Sequence, residues 1–466
     1  MTVRTVAAVD LGATSGRVMI GRIGDGRLDL ELVSRFPNGP VEREDGLHWD
    51  FDALFAHVVE GLAEAVRREP DIESIGIDSW AVDYGLVADG ELLAEPFHYR
   101  DERSARGVDE VHPIASPEEL YQRNGLQFLP FNTLYQYRVD ARLADADTAL
   151  LIPDLIAFLL TGEAVAERTN ASTTGLLGVT SGEWDTALAD RLGIPTRVLP
   201  PLVDPGATIG TLRPQIAARI GKDLPVTAVG SHDTASAVVA APLATPRSAY
   251  ISCGTWGLVG VELAEPVLTD AAREANFTHE RGVDGRYRFL HNVTGLWLLS
   301  ETVRAWEAED GTSIDLPELL AAASAVTDEA PLFDANDPSL SAPGGMPARI
   351  AALLGDDAPT TRPAFARAIV ESIATAFAEA VQTAADLSGR TLDSINLVGG
   401  GSLNRLLCQA TADRSGLPVL AGPVEATALG NVLVQARALG AAPASLEDLR
   451  ALVAATHRPE LFAPRD

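Results

Sequence analysis

The sequence predicts an α/β protein made of two halves with a shared plan, and three observations carry that prediction. Apolar runs of strand length alternate with longer runs of helical periodicity along the chain. A strand, a polar glycine-containing turn and a returning strand open the chain at residues 6–20 and recur at residues 249–261. Between the two copies, residues 242–247 (PLATPR) break the pattern with two prolines, which predicts domains at 1–244 and 245–466. The duplication is one of architecture; the residues themselves differ.

The first hairpin reads VAAVDLGATSGRVMI. Its leading arm ends on Asp10, Gly12 and Gly16 suggest backbone angles that other residues resist, and Thr14 and Ser15 add hydroxyls. Residues 49–69 carry Leu54, Phe55, Val58, Val59, Leu62 and Val66 at helical spacing, with Asp50 or Asp52 as cap and Pro70 as stop. A short strand at 72–77 leads into Asp78, Ser79, Trp80, Ala81, Val82 and Asp83, a polar and aromatic cluster at a strand's carboxyl end, where open α/β sheets bind ligands. Residues 96–145 are rich in Arg, Tyr, Phe, Gln and Asn without clean periodicity and predict a substrate-side insertion, although packing alone accounts for any single aromatic there. Residues 153–161 predict a short helix and 169–178 a polar loop.

A strand at 226–230 then gives way to Ser231, His232, Asp233 and Thr234 on a loop before a helix. The second half supplies its own hairpin and a long alanine-rich helix at 364–385 with Gly389 near its end. A strand at 394–398 breaks at Gly399, Gly400 and Gly401 into another helix, and residues 425–431 (EATALGN) begin the last one.

Composition narrows the function classes. The 466 residues are 46% hydrophobic, enough for real cores, and the net charge of −29 argues against a general binder of nucleic acid or anionic membrane. An anionic substrate then needs a local pocket of backbone N–H groups and a few Arg or Lys. Two cysteines, Cys253 and Cys408, exclude a disulfide framework and point to a reducing cytoplasm. The opening residues show no secretory signal, and no apolar run is long enough to span a membrane.

The chemistry gathers in three places. Successive amides in each hairpin turn can converge on a phosphate, with Arg17 just beyond the first turn and Asp10 placed to hold hydrated Mg²⁺; an ordinary hairpin that binds nothing has the same look. The triple glycine lets backbone approach a flat ring or sugar, with Asn404 as a polar contact, or it is simply a tight strand-to-helix turn. Asp233, at a strand end, can accept a proton from a hydroxyl attacking a γ-phosphorus while His232 and Thr234 orient sugar hydroxyls, or it merely caps the next helix. Ser231 and Ser236 lack the glycine-flanked elbow of hydrolase nucleophiles, and no Walker-type phosphate loop occurs.

These stretches together resemble the FGGY carbohydrate kinases. The resemblance runs from DLGATSGRVMI through GIDSWAVDYG, YRD, YQRNGLQFLPFNTLYQ, PVTAVGSHDTASAV, YISCGTWGL, GRYR, GLWLL and LVGGG to AGPVEATALGN. It implies two duplicated actin-like ATPase (ribonuclease H-like) domains with a cleft between them. It implies ATP-dependent phosphorylation of a ketose with Mg²⁺, and within the family it is strongest to members that phosphorylate L-rhamnulose at its 1-hydroxyl. By the same resemblance Ala13, Thr14, Ser15, Gly16 and Arg17 bind ATP phosphates, Thr255 serves the second phosphate turn, and Gly400 and Gly401 the nucleoside. Asp233 is the proton acceptor, with His232, Thr234 and Asn292 on the ketose. Ala81 stands where the family has Gly against the sugar, and Ser300 where relatives have Gln near the nucleotide. L-fuculose or L-xylulose are alternative ketoses, a non-catalytic actin-like regulator is the reading from another class, and a monomer or homodimer in the cytoplasm is expected.

Overall fold

The computed structural model describes residues 3–465; the expectations on residues 1, 2 and 466 lie outside them. The chain forms two compact units interleaved in sequence. The first comprises Met1–Ala240, Glu262–Phe289 and Ala426–Thr456, the second Ala241–Val261, Leu290–Glu425 and His457–Asp466.

The first unit is organised on a mixed six-stranded sheet in the order Thr208–Thr211, Pro225–Thr227, Ile72–Ser79, Arg4–Leu11, Ser15–Gly24, Arg27–Pro37. The opening hairpin is present as expected, Arg4–Leu11 pairing antiparallel with Ser15–Gly24. Its glycines have a different reason from the one expected. Neither Gly12 nor Gly16 adopts positive φ; a Cβ on Gly16 would instead run into the Phe36 ring and Leu11, so glycine is there for close approach. Helix Phe51–Arg68 starts on Asp50, whose carboxylate accepts the Ala53 amide, and it buries Phe51, Leu54, Val58, Val59 and Leu62. Each such side chain is worth about 1.5–3 kcal/mol of burial.

Two other segments depart from their sequence-based reading, while residues 96–145 form no sheet, as expected. That stretch, read from the sequence as an insertion rather than sheet, forms helices Arg103–Val111, Pro117–Asn124 and Thr133–Val139. The expected polar loop at 169–178 begins instead as two buried helical turns, Arg168–Ala171 and Ser172–Thr174. There the hydroxyls of Ser172, Thr173 and Thr174 donate to the carbonyls of Thr169, Asn170 and Ala171, which satisfies polar groups that would otherwise demand water. The strand expected at 226–230 ends at Thr227, and the following helix, Asp233–Ala240, begins at Asp233 itself.

Helix Ala426–Ala438 belongs to the first unit and packs on helix Asp233–Ala240 and on the sheet. Glycines make that contact possible. A Cβ on Gly430 would overlap the Ser236 carbonyl, one on Gly21 the Val432 side chain, and one on Gly76 the amides of Asn431 and Gln435.

In the second unit, strand Ser248–Cys253 pairs antiparallel with Trp256–Leu263 and parallel with Ser394–Val398, which continues through Val419–Ala421 to Glu460–Phe462. Helix Arg362–Ser388 starts on Thr361 and ends on Gly389 in the left-handed region, as its sequence predicts. Its Phe377 fills the space left by Gly257 on the hairpin. No helix among the described residues is long and apolar enough to cross a membrane.

Candidate active site

Strand register builds the heart of the first unit's site. Asp10 stands opposite Arg17 on one neighbouring strand and Asp78 on the other. Arg17 Nε lies 3.0 Å from Asp10 Oδ2. Asp78 is fully buried, and Asn431 Nδ2 donates to its Oδ2 at 2.6 Å. Gln435 Nε2 in turn donates to Asn431 Oδ1 and to the Ala7 carbonyl. Burial, with Asp10 next to it and Asp233 within electrostatic reach, holds the Asp78 carboxyl well above the usual range. Its Oδ1 has no hydrogen-bond partner among the described residues.

The turn between those strands is fixed by Asn38, whose side chain donates to the Gly12 carbonyl at 2.9 Å and whose amide donates to that of Thr14. Thr14 is exposed at its tip, Ala13 and Ser15 are half-buried, and Gly16 is buried beneath.

The Ser79 amide donates to the Ser231 carbonyl at 2.9 Å, which carries Ser231, His232 and Asp233 up beside the end of strand Ile72–Ser79. From below, Glu167 accepts the amide and hydroxyl of Ser231 at 2.9 and 2.8 Å and the Thr169 amide at 2.8 Å. Neither serine is a poised nucleophile, since Ser236 Oγ donates to the Gly230 carbonyl. The helix that starts at Asp233 is closed by the His232 carbonyl, which accepts the Ala235 and Ser236 amides. His232 is therefore the residue whose backbone carbonyl begins the helix. Asp233 Oδ1 accepts the amide and hydroxyl of Thr234, at 2.6 and 3.2 Å, and lies 3.4 Å from His232 Nε2, with about a third of the side chain exposed. A partly exposed carboxylate with oriented donors on one oxygen has the other available to a substrate proton.

Behind Ala81 lies an aromatic box around the buried Asp83. The carboxylate accepts Trp49 Nε1, Trp80 Nε1, the Tyr99 amide and Gln136 Nε2, at 2.7–3.1 Å. Val82 is held at φ 66°, costly for a β-branched residue, with its carbonyl accepting Thr133 Oγ1 at 2.7 Å. Burial raises Asp83 to about 6 against those four donors. The stability it contributes is therefore full below the ordinary value of 3.8 and lost as pH rises through about 6. Between about pH 4 and about pH 6 the melting temperature of Asp83→Asn should fall less than that of the parent, and parallel curves would remove Asp83 as the titrating group.

The second unit's predicted residues sit around the turn at 254–255. Its carbonyls, from Gly254 and Thr255, accept the amides of Leu296 and Trp297 at the start of helix Trp297–Asp310. Thr255 is half-buried there, Ser300 is exposed on that helix, and Asn292 is half-buried on strand Tyr287–Thr294. Gly399 and Gly401 press against Cys253, where a Cβ on either would clash, whereas Gly400 is exposed with open space around it. Asn404 is buried, and its Oδ1 accepts the Leu407 amide as the cap of helix Arg405–Ser415.

Residues without an assigned role in the sequence reading complete the first unit's site: Asp78, Glu167, Glu280, Arg288 and Asn431. Only Asp78 carried a local signal, its place at a strand end. The others depend on contacts that reach across as many as 353 positions, as the separation of Asn431 from Asp78 shows.

Comparison with known proteins then decides the family. Residues 5–240 match the N-terminal domain of the FGGY family of carbohydrate kinases and residues 249–439 its C-terminal domain. The chain belongs to the FGGY family of carbohydrate kinases. Its activity is that of an ATP-dependent sugar kinase. Among relatives, a rhamnulokinase of Pectobacterium carotovorum subsp. carotovorum (strain PC1) is 42% identical, over 95% of this chain and 89% of its own length. Those of Bacteroides thetaiotaomicron and Bacillus subtilis (strain 168) are 37% and 36% identical, each over 98% of this chain and 96% and 95% of their own lengths. Among solved structures, gluconate kinase from Lactobacillus acidophilus superposes with a TM-score of 0.80 at 19% identity, covering 100% of this chain and 94% of that one. Plasmodium falciparum glycerol kinase with ADP gives 0.79 at 16%, covering 99% and 94%. These establish the actin-like two-domain fold of the FGGY sugar kinases.

Proposed function

We propose that this FGGY kinase transfers the γ-phosphoryl group of ATP to the 1-hydroxyl of L-rhamnulose, giving L-rhamnulose 1-phosphate and ADP. The supporting observation is the run of relatives named rhamnulokinase, 36–42% identical along nearly the whole chain. Asp233 accepts the hydroxyl proton as that oxygen bonds to phosphorus and the bond to the ADP oxygen breaks. His232 faces the ketose beside it, with Asn292, Thr234 and Ala81 as the other proposed sugar-side residues. The amides of Ala13, Thr14, Ser15 and Gly16, with Arg17, take phosphate oxygens; Thr255, Ser300, Gly400, Gly401 and Asn404 serve the nucleotide.

Asp10 and Asp78 fit Mg²⁺ as paired hard-oxygen donors, one with an orphaned buried oxygen. No group of three or more candidate ligands exists among the described residues, which suits an ion that keeps most of its water. Bound there, Mg²⁺ would neutralise charge on the phosphates. The two buried free thiols, with Cys408 pushed up to about 12 by burial, support a reducing cytoplasm.

Initial rates of ADP release over a ketose panel test the substrate. L-rhamnulose should exceed L-fuculose and L-xylulose in kcat/KM by about tenfold or more. A different best ketose would replace the substrate, and ATP turnover unaffected by any ketose would favour a non-catalytic regulator.

A further inference from the structure

The GRYR stretch has no role in the reaction just described, yet its last residue is, among the described residues, the only arginine in the set of largest fully buried side chains. Arg288 lies on strand Tyr287–Thr294, 0% exposed, and its Nη2 is 3.0 Å from His232 Nδ1. Nη1 forms an ion pair with Glu280 Oε2 at 2.9 Å, and Nε donates to the Arg281 carbonyl at 3.1 Å. Burial opposes ionisation of Glu280, but the Arg288 guanidinium holds its carboxyl below the usual range. The result is a buried, charge-balanced pair with Nη2 of Arg288 aimed at one nitrogen of His232.

A guanidinium can only donate, so the His232 nitrogen it meets must present a lone pair. Glu280 Oε2 also lies near that nitrogen, at 3.3 Å, but without hydrogen-bond geometry and already paired with Arg288. We infer that Arg288, anchored by Glu280, is a positioning residue that fixes His232 as the neutral imidazole protonated on Nε2.

The consequence falls on the substrate side of the ring. Nε2 is the nitrogen 3.4 Å from Asp233 Oδ1. With its proton there, His232 donates toward the Asp233 carboxylate or toward a ketose oxygen that acts as acceptor, and it cannot compete with Asp233 for the hydroxyl proton. Acid–base work is thereby left to Asp233 alone. The inference rests on the proposed sugar-facing role of His232, but the tautomer itself does not.

Long-range ¹H–¹⁵N correlation spectra of the full chain with ¹⁵N-histidine, assigned by loss of one signal in His232→Gln, read the tautomer directly. The expected pattern is a neutral ring with Nε2 protonated; protonation on Nδ1, or on both nitrogens, overturns the inference whatever the enzyme does. The paired substitution Arg288→Met with Glu280→Gln removes both buried charges together. It should mix the tautomers and raise the ketose KM about tenfold, the worth of one hydrogen bond, with the KM for ATP unchanged. Arg288→Lys keeps a donor-only group and should retain the Nε2-protonated ring with a smaller rise. If the paired variant folds and keeps both the single tautomer and the parental KM, Arg288 is not the positioning residue. A parent enzyme that phosphorylates no ketose would instead remove the proposed function and leave the tautomer result standing.

Discussion

Asp233→Asn should lower kcat by about a hundredfold to ten-thousandfold while ATP and ketose still bind. The Asp233 side chain sits where strand Ile72–Ser79 ends, one oxygen held by the amide and hydroxyl of Thr234 and close to His232 Nε2. Asparagine keeps the volume and one acceptor, so the loop pinned by Glu167 and Ser79 should not move. What it lacks is a group able to take the hydroxyl proton. A coupled ADP assay gives turnover, and calorimetric titration with ATP and with ketose checks binding. Near-normal turnover with intact binding would dismiss Asp233 as the base and favour the helix-cap alternative, in which its carboxylate serves only the Thr234 amide of the first turn.

Gly430→Ala is expected to be among the most damaging single-methyl additions in the first unit, far from any substrate atom. Its new carbon would overlap the Ser236 carbonyl of helix Asp233–Ala240, and backbone cannot rotate away as a side-chain tip can. Overpacking of this kind costs about 1–3 kcal/mol, which lowers a melting temperature by about 2 °C or more. The displaced helix is the one that begins with Asp233, and the displaced partner carries Asn431, the donor to Asp78. Turnover should therefore fall more than the loss of folded protein explains. Gly39→Ala, which adds its methyl to open space without a left-handed backbone, should remain within about 0.5 kcal/mol of the parent. Equal stability of the two variants, in differential scanning calorimetry, would refute the packing argument.

Much of the site is legible in the sequence because it is local. The hairpin turn, the strand-end cluster at 78–83 and the run at 231–234 each announce themselves within a few residues, and the register that sets Asp10 beside Arg17 follows from the hairpin alone. Other parts are not local in that sense. The glycines at 399–401 look alike in sequence, yet two are spent on approach to Cys253 and one is open. The Thr-rich segment reads as a loop because hydroxyls usually compete with helix, and here they close helical turns in a buried setting.

By itself, the sequence determined the alternation of strands and helices, the two hairpins, a helix start at Asp50 or Asp52 and a helix end near Gly389, and it supplied the residues proposed for phosphoryl transfer. Those are short-range properties, set by periodicity, backbone preference and side-chain chemistry. The tertiary structure alone decided which buried charges support them. Asp78 is held by Asn431 from a helix 353 positions away, Ser231 by Glu167, and His232 by Arg288 with Glu280. Each is a polar group removed from water, stable only where folding delivers its partner, and no spacing in the chain records that delivery.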